Sequence, residues 1–294
     1  MSEILSERTK GNDSMEKWPI GVFASIDAGL GVRLEVAHNL GVHTVHLHTP
    51  DAGSRTPERA AEFKKRLADL GITITCVFAG FEGESYADIP TVERTVGLTP
   101  RETRASRTIE LKAIADFARE LGVDVVGMHL GFVPHDRNDP EYRELLEITR
   151  GVCDHCKRNG QALHLETGQE PVDVLIAFLE DVQRDNIFVN FDPANMILYG
   201  AGEPIPSLEA LGSRVHSIHC KDATWSDQPG ETWGREVPLG EGDVDFEAFV
   251  KTLKKIGYTG PLTIEREIPQ EPERQKAEIG RAIELLEQLK KQIQ

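Results

Sequence analysis

At 294 residues, 39% of them hydrophobic, the chain is long and apolar enough to bury a large core, which excludes a disordered protein. Its 49 acidic against 33 basic residues leave a formal net charge of -16, which repels nucleic-acid backbones and anionic membranes wherever no basic patch intervenes. No such patch is evident, because the basic residues of 58–70 alternate with acidic ones at helical spacing, as on a solvated helix face. In chain order, residues 1–17 are polar and aperiodic and read as a flexible tail, and 18–294 read as one α/β domain. From Trp18 onward, short apolar runs alternate without a break with longer amphipathic ones, the rhythm of βα units on a parallel sheet. The runs predict strands at 20–24, 44–48, 72–78, 123–129, 162–166, 187–192, 215–220 and 262–265. Eight such strands close a barrel, so the expected fold is a (β/α)8 TIM barrel. The rival, a doubly wound open sheet, lacks its glycine fingerprint after the first strand.

Helix ends carry their own punctuation at Leu40-Gly41, Leu70-Gly71, Leu121-Gly122 and Ile256-Gly257, with a strand soon after each. The αβ connections are therefore short. The long connections, 82–100 and 222–243, follow strands three and seven, on the face where barrel enzymes build their sites. Their length and their residues Tyr86, Trp225 and Trp233 suggest a cover over that face, with Gly80, Gly83, Gly230 and Gly234 as hinges; the plainer expectation for the two tryptophans is packing within the loop or at a subunit contact. Cys153 and Cys156 form a C-x-x-C on an amphipathic helix with no second pair at zinc spacing, and read as core thiols. No apolar run approaches the roughly 18 residues that span a bilayer. With four scattered cysteines and no signal peptide, the expected setting is the cytoplasm.

Strand parity is the sharpest signal. In Leu163-His164-Leu165-Glu166 the leucines face the helices, which turns His164 and Glu166 inward. By the same alternation Asn190 and Asp192, Ser217 and His219, and Thr263 and Glu265 point inward, so four consecutive strands end in an inward ionisable residue. Any one alone is better read as a helix cap or a satisfied core histidine. Three carboxylates meeting at one barrel mouth repel one another, and a bound cation is the ordinary way to hold them ionised.

The segments LHLETGQE (163–170), VNFDPANM (189–196), SIHCKDA (217–223), PLGEGDVDF (238–246) and LTIERE (262–267) resemble the xylose isomerase-like TIM barrel family of sugar isomerases and epimerases. The resemblance runs from Trp18 to the C-terminus and implies metal ligands at Glu166, Asp192, His219 and Glu265, the four that parity selects; Glu267 shares the parity of Glu265 and is the fallback. The same superfamily holds trinuclear zinc DNA repair endonucleases. Against that activity, Asn195 stands three after Asp192, and Arg235 and Glu236 stand where an Asp-x-His is needed; His48 and His129 match two further ligands and leave room for a second metal.

Three oxygens and one imidazole suit one divalent ion, Mn²⁺ first, with Mg²⁺, Co²⁺ or Zn²⁺ as alternatives. The resemblance implies a small carbohydrate substrate, a metal-stabilised enediolate, and Glu166 and Glu265 as bases on opposite faces. His48, His129 and Lys221 are inward by parity and, with Asn195 and Arg235, are candidate substrate contacts. Glu241, Asp243 and Asp245 around Gly240–Gly242 argue against a phosphate there. The rival outcomes are a lyase cleaving an oxidised (3-keto) glycoside and a non-catalytic sugar-binding protein. A homo-oligomer is compatible with the sequence.

Overall fold

The computed structural model describes residues 18–26 and 31–293, so the stretch read as a tail lies outside the described residues. Eight parallel strands form the barrel: β1 Ile20–Ser25, β2 Thr44–His48, β3 Thr73–Ala79, β4 Val125–Met128, β5 Ala162–Glu166, β6 Ile187–Phe191, β7 Val215–Cys220 and β8 Leu262–Ile264. Each pairs with the next, and β8 closes on β1 through Ile20↔Leu262 and Val22↔Ile264. This is a (β/α)8 TIM barrel. A two-residue strand, Val32–Arg33, pairs with the end of β1.

The outer ring is α1 Leu34–Asn39, α2 Pro57–Leu70, α3 Arg101–Leu121, α4 Pro140–Arg158, α5 Val172–Val182, α6 Pro204–Leu211, α7 Phe246–Ile256 and α8 Pro272–Ile293. Local chemistry sets the ends: Thr56 accepts the Arg59 N–H ahead of Pro57, and α2, α3 and α7 stop at the left-handed Gly71, Gly122 and Gly257. Cys153 and Cys156 are both fully buried free thiols on α4. No helix among the described residues is long and apolar enough to cross a membrane.

The outward positions Leu163, Leu165, Val189, Phe191, Ile218, Leu262 and Ile264 all join the core between sheet and helices. Phe23, Cys76 and Phe78 form a separate small cluster beside the inward positions. The alternation that fills the core on one side of each strand leaves polar side chains on the other, among them His46, His164, Asn190 and Ser217. β6 ends one residue earlier than the sequence suggests, because Asp192 leaves the sheet to cap the helix Pro193–Tyr199, accepting the N–H groups of Ala194 and Asn195 at 2.8 and 3.0 Å.

The long connections are structured. The stretch 82–100 contains a helix, Ile89–Thr95, and Arg107 of α3 holds it by donating to the carbonyls of Thr95, Gly97 and Glu82. The stretch 222–243 forms an antiparallel ribbon of Asp222–Thr224 with Arg235–Val237. Trp233 packs edge-on against Tyr199 at 4.6 Å, and a Cβ on Gly234 would lie 2.8 Å from the Thr224 carbonyl. Close packing, not hinge freedom, accounts for Gly234.

Candidate metal centre

Glu166 ends β5, Asp192 follows β6, His219 lies on β7 and Glu265 follows β8. The barrel brings one ligand atom from each of these four to within 4.8 Å of all the others. Glu166, Asp192 and His219 are 3% exposed or less, and the Glu265 side chain is 11% exposed. His219 Nδ1 is hydrogen-bonded with Glu166 Oε1 and lies 3.3 Å from Glu265 Oε2. Asn190 Nδ2 donates to Glu166 Oε1 at 3.0 Å.

The donors fit a divalent cation. Asp192 Oδ1 is satisfied by the helix it caps, but its Oδ2 is buried without any hydrogen-bond partner. A buried carboxylate oxygen left so costs of order 1–3 kcal/mol or more unless something positive meets it. The protonation balance agrees. Burial, reinforced by Glu265 and Glu166 against the pull of Lys221, pushes the Asp192 carboxyl well above its ordinary range. Burial also disfavours the Glu166 anion, yet His129 and His219 outweigh it and hold the group at about 2. For His219 burial acts downward, and the carboxylates of Glu265 and Glu166 overcome it and raise the imidazole to about 10.

A pH dependence follows. His219 can ligate only as the neutral ring, so at about pH 8 cation uptake must displace its proton, and the raised Asp192 carboxyl acts in the same sense. Mn²⁺ affinity should rise with pH until the His219 value near 10 is passed. Calorimetry in two buffers of different ionisation enthalpy should show roughly one proton released per ion or more; buffer-independent heats would contradict it.

The other sequence-selected residues divide. His129 Nε2 lies 2.7 Å from Glu166 Oε2, and its Nδ1 lies 3.2 Å from Gln169 Nε2, which also donates to the Tyr199 hydroxyl at 3.0 Å. Lys221 is buried, with Nζ 3.2 Å from Glu265 Oε2 and 2.9 Å from Glu267 Oε1. Asn195 is buried in the first turn after Asp192. His48 stands beside Phe23, whose ring also packs edge-on against His219. Arg235 is exposed on the ribbon, and among the described residues no hydrogen bond or ion pair joins it to the four. Glu267 is outside the cluster, paired with Lys221 and half exposed. His164 lies one inward position before Glu166 on β5, hydrogen-bonded with Ser217 Oγ at 2.7 Å, and burial lowers it to about 3.

The profile of the xylose isomerase-like TIM barrel matches residues 34–289. The chain belongs to the xylose isomerase-like TIM barrel family. Among solved members, it is 55% identical to the xylose isomerase domain protein from Planctomyces limnophilus, over 95% of this chain and 99% of that one, with a TM-score of 0.92. It shares the fold of a xylose isomerase-like TIM barrel protein from Mycobacterium smegmatis in complex with magnesium, at 20% identity over 95% and 100% of the chains and a TM-score of 0.69. It is 28% identical over 169 residues to the L-ribulose 3-epimerase of Methylomonas sp. (strain DH-1), a match covering 58% of this chain and 44% of that one. The chain thus spans less than half of that curated relative.

Within this xylose isomerase-like barrel, two features escaped sequence reading. His46 Nδ1 lies 3.0 Å from His219 Nε2, so the neutral His219 that ligates through Nδ1 can place its remaining proton on Nε2 and donate it to His46. The signal was available, since His46 shares the parity of His48. Asp222, 1% exposed, accepts the N–H groups of Ala223, Gly240 and Gly242 at 2.9 Å and of Val244 at 3.2 Å. The glycine loop after β7, a common phosphate cradle in such barrels, is filled by the protein's own carboxylate. Asp222→Ala would strand these donors and should lower stability by about 3 kcal/mol in urea unfolding; a loss under about 1 kcal/mol would contradict this role.

Proposed function

We propose that the protein is a divalent-metal-dependent sugar isomerase or epimerase that moves a proton at the carbon beside a carbonyl of a small, non-phosphorylated sugar. The observation that supports this reading is the convergence of Glu166 and Glu265 on His219, a carboxylate oxygen of each lying by its Nδ1. One glutamate abstracts the proton and the other returns it, as needed when the product differs at one stereocentre. Lys221 at 3.2 Å and His219 keep Glu265 ionised, overcoming its burial, which suits a base. His129 steadies the outer oxygen of Glu166. When bound by Glu166, Asp192, His219 and Glu265, a divalent cation would supply the positive charge that favours the enediolate left by proton removal. Mn²⁺ is the first choice on ligand chemistry, and the magnesium complex of the mycobacterial relative keeps Mg²⁺ beside it.

His48, Asn195 and Lys221 are the proposed contacts to substrate hydroxyls. The occupied loop at Asp222 supports an unphosphorylated substrate, and the name of the Methylomonas relative supports a ketose. Incubation of the metal-loaded protein with a panel of ketoses, aldoses and 3-keto glycosides in deuterated water tests the reading. One deuterium should appear at a carbon next to the carbonyl. No exchange on any sugar would end the isomerase reading, and release of an aglycone from a keto glycoside would turn it into a lyase.

A further inference from the structure

A cleft of about 1170 Å³ opens beside the mouth of the barrel, between the ends of β2 and β3 and the outer face of α3. None of the four clustered residues lines it. A chain of side-chain contacts links it to them. At its inner end stand His48 and Tyr86; the Tyr86 ring lies 5.7 Å from His129, which touches Glu166, and Phe23 packs between His48 and His219. The volume exceeds the about 300–1,000 Å³ usual for a single small-ligand pocket.

Three observations on its lining point to one kind of ligand. The Arg55 side chain is only 7% exposed; its Nη2 is paired with Glu110 at 2.5 Å, while its Nη1 is buried with no partner. Thr49, 6% exposed, has its hydroxyl oxygen buried and equally unpartnered. An unpaired donor and an unpaired hydroxyl on two residues that line one cleft call for ligand oxygens. Tyr86 and Ile109, large hydrophobic side chains exposed at 39% and 72%, also line it. Apolar surface beside unpaired donors suits a ring with C–H faces and hydroxyl edges. Asp51, Glu82, Glu84 and Glu110 surround a single arginine that is already paired, so the ring is uncharged.

We propose that the cleft is a second sugar subsite and that the substrate is a glycoside of two rings. The reacting sugar sits at the Glu166–Asp192–His219–Glu265 cluster. The second ring lies along Tyr86 and Ile109, its hydroxyls on Arg55 Nη1 and Thr49 Oγ1. This rests on the carbohydrate reading above, and deepens it by naming the substrate class.

The test is calorimetric titration of the Mn²⁺-loaded protein with D-fructose, with the fructose-ended disaccharides lactulose and maltulose, and with fructose 6-phosphate. At least one disaccharide should bind tenfold or more tightly than D-fructose. Arg55→Gln and the surface change Ile109→Glu should each cut that ratio at least fivefold. Because Ile109 is 72% exposed, its replacement cannot threaten the fold. Equal binding of fructose and both disaccharides, a ratio unmoved in both variants, or preference for the phosphate would overturn the subsite. Deuterium exchange on the same ligands separates the two readings. Tight disaccharide binding without exchange keeps the subsite and removes the isomerase, whereas exchange on fructose with no disaccharide advantage does the reverse.

Discussion

Asp192→Asn is expected to weaken Mn²⁺ binding at least about 100-fold, or about 2.7 kcal/mol, while the protein stays folded. The side chain divides its work by atom. Oδ1 caps the helix Pro193–Tyr199, a role an asparagine oxygen keeps, and Oδ2 is the orphaned oxygen facing the cluster, where an amide brings neither charge nor a lone pair. The stability effect has the opposite sign. Because the Asp192 carboxyl is raised in the metal-free fold, the folded state holds a proton that the unfolded chain has lost above its ordinary value of 3.8, and stability falls as pH rises past that point. Asparagine removes this penalty, so the metal-free variant should unfold at a temperature no lower than the metal-free parent at neutral pH. Isothermal titration with Mn²⁺ and a thermal melt check both halves. Unfolding of the variant under ordinary conditions would contradict the separation of site from scaffold.

The second large effect belongs to the bases. Glu166→Gln and Glu265→Gln should each slow deuterium incorporation at least about 10³-fold, because an amide cannot accept the proton. Each also removes a charged ligand, so incorporation is compared at saturating Mn²⁺, with occupancy measured separately. In the Glu166 variant, Asn190 and His129 still bracket the side chain, which keeps the shape of the site. A fully metallated variant retaining more than a tenth of the parent rate would remove that glutamate from the proton path.

Much of this centre was legible because it lies on strands. Alternation in Leu163-His164-Leu165-Glu166 and in Ser217-Ile218-His219 is enforced by the pleat, and a leucine-rich outer face leaves only one side for the ionisable residue. Parity fails where strands stop. β8 ends at Ile264, so the alternation that would equate Glu267 with Glu265 no longer applies, and Glu267 turns to Lys221 at the rim. Arg235 was selected by position in a loop; the ribbon it joins pairs it with Thr224 and leaves its side chain exposed. Contacts between distant segments were hidden for another reason. The pairing of His46 with His219 spans 173 residues, and the nest around Asp222 exists only once 240–244 has folded back over it. Arg55 and Ile109 read as ordinary loop and helix-surface residues until the cleft between them is seen.

The most direct test of the central claim is anomalous diffraction at the manganese edge from crystals grown with Mn²⁺. One peak is expected at the C-terminal mouth of the barrel, bonded at roughly 2.0–2.4 Å to Glu166, Asp192, His219 Nδ1 and Glu265. A peak held by other residues, or no peak with these four side chains turned apart, would contradict it.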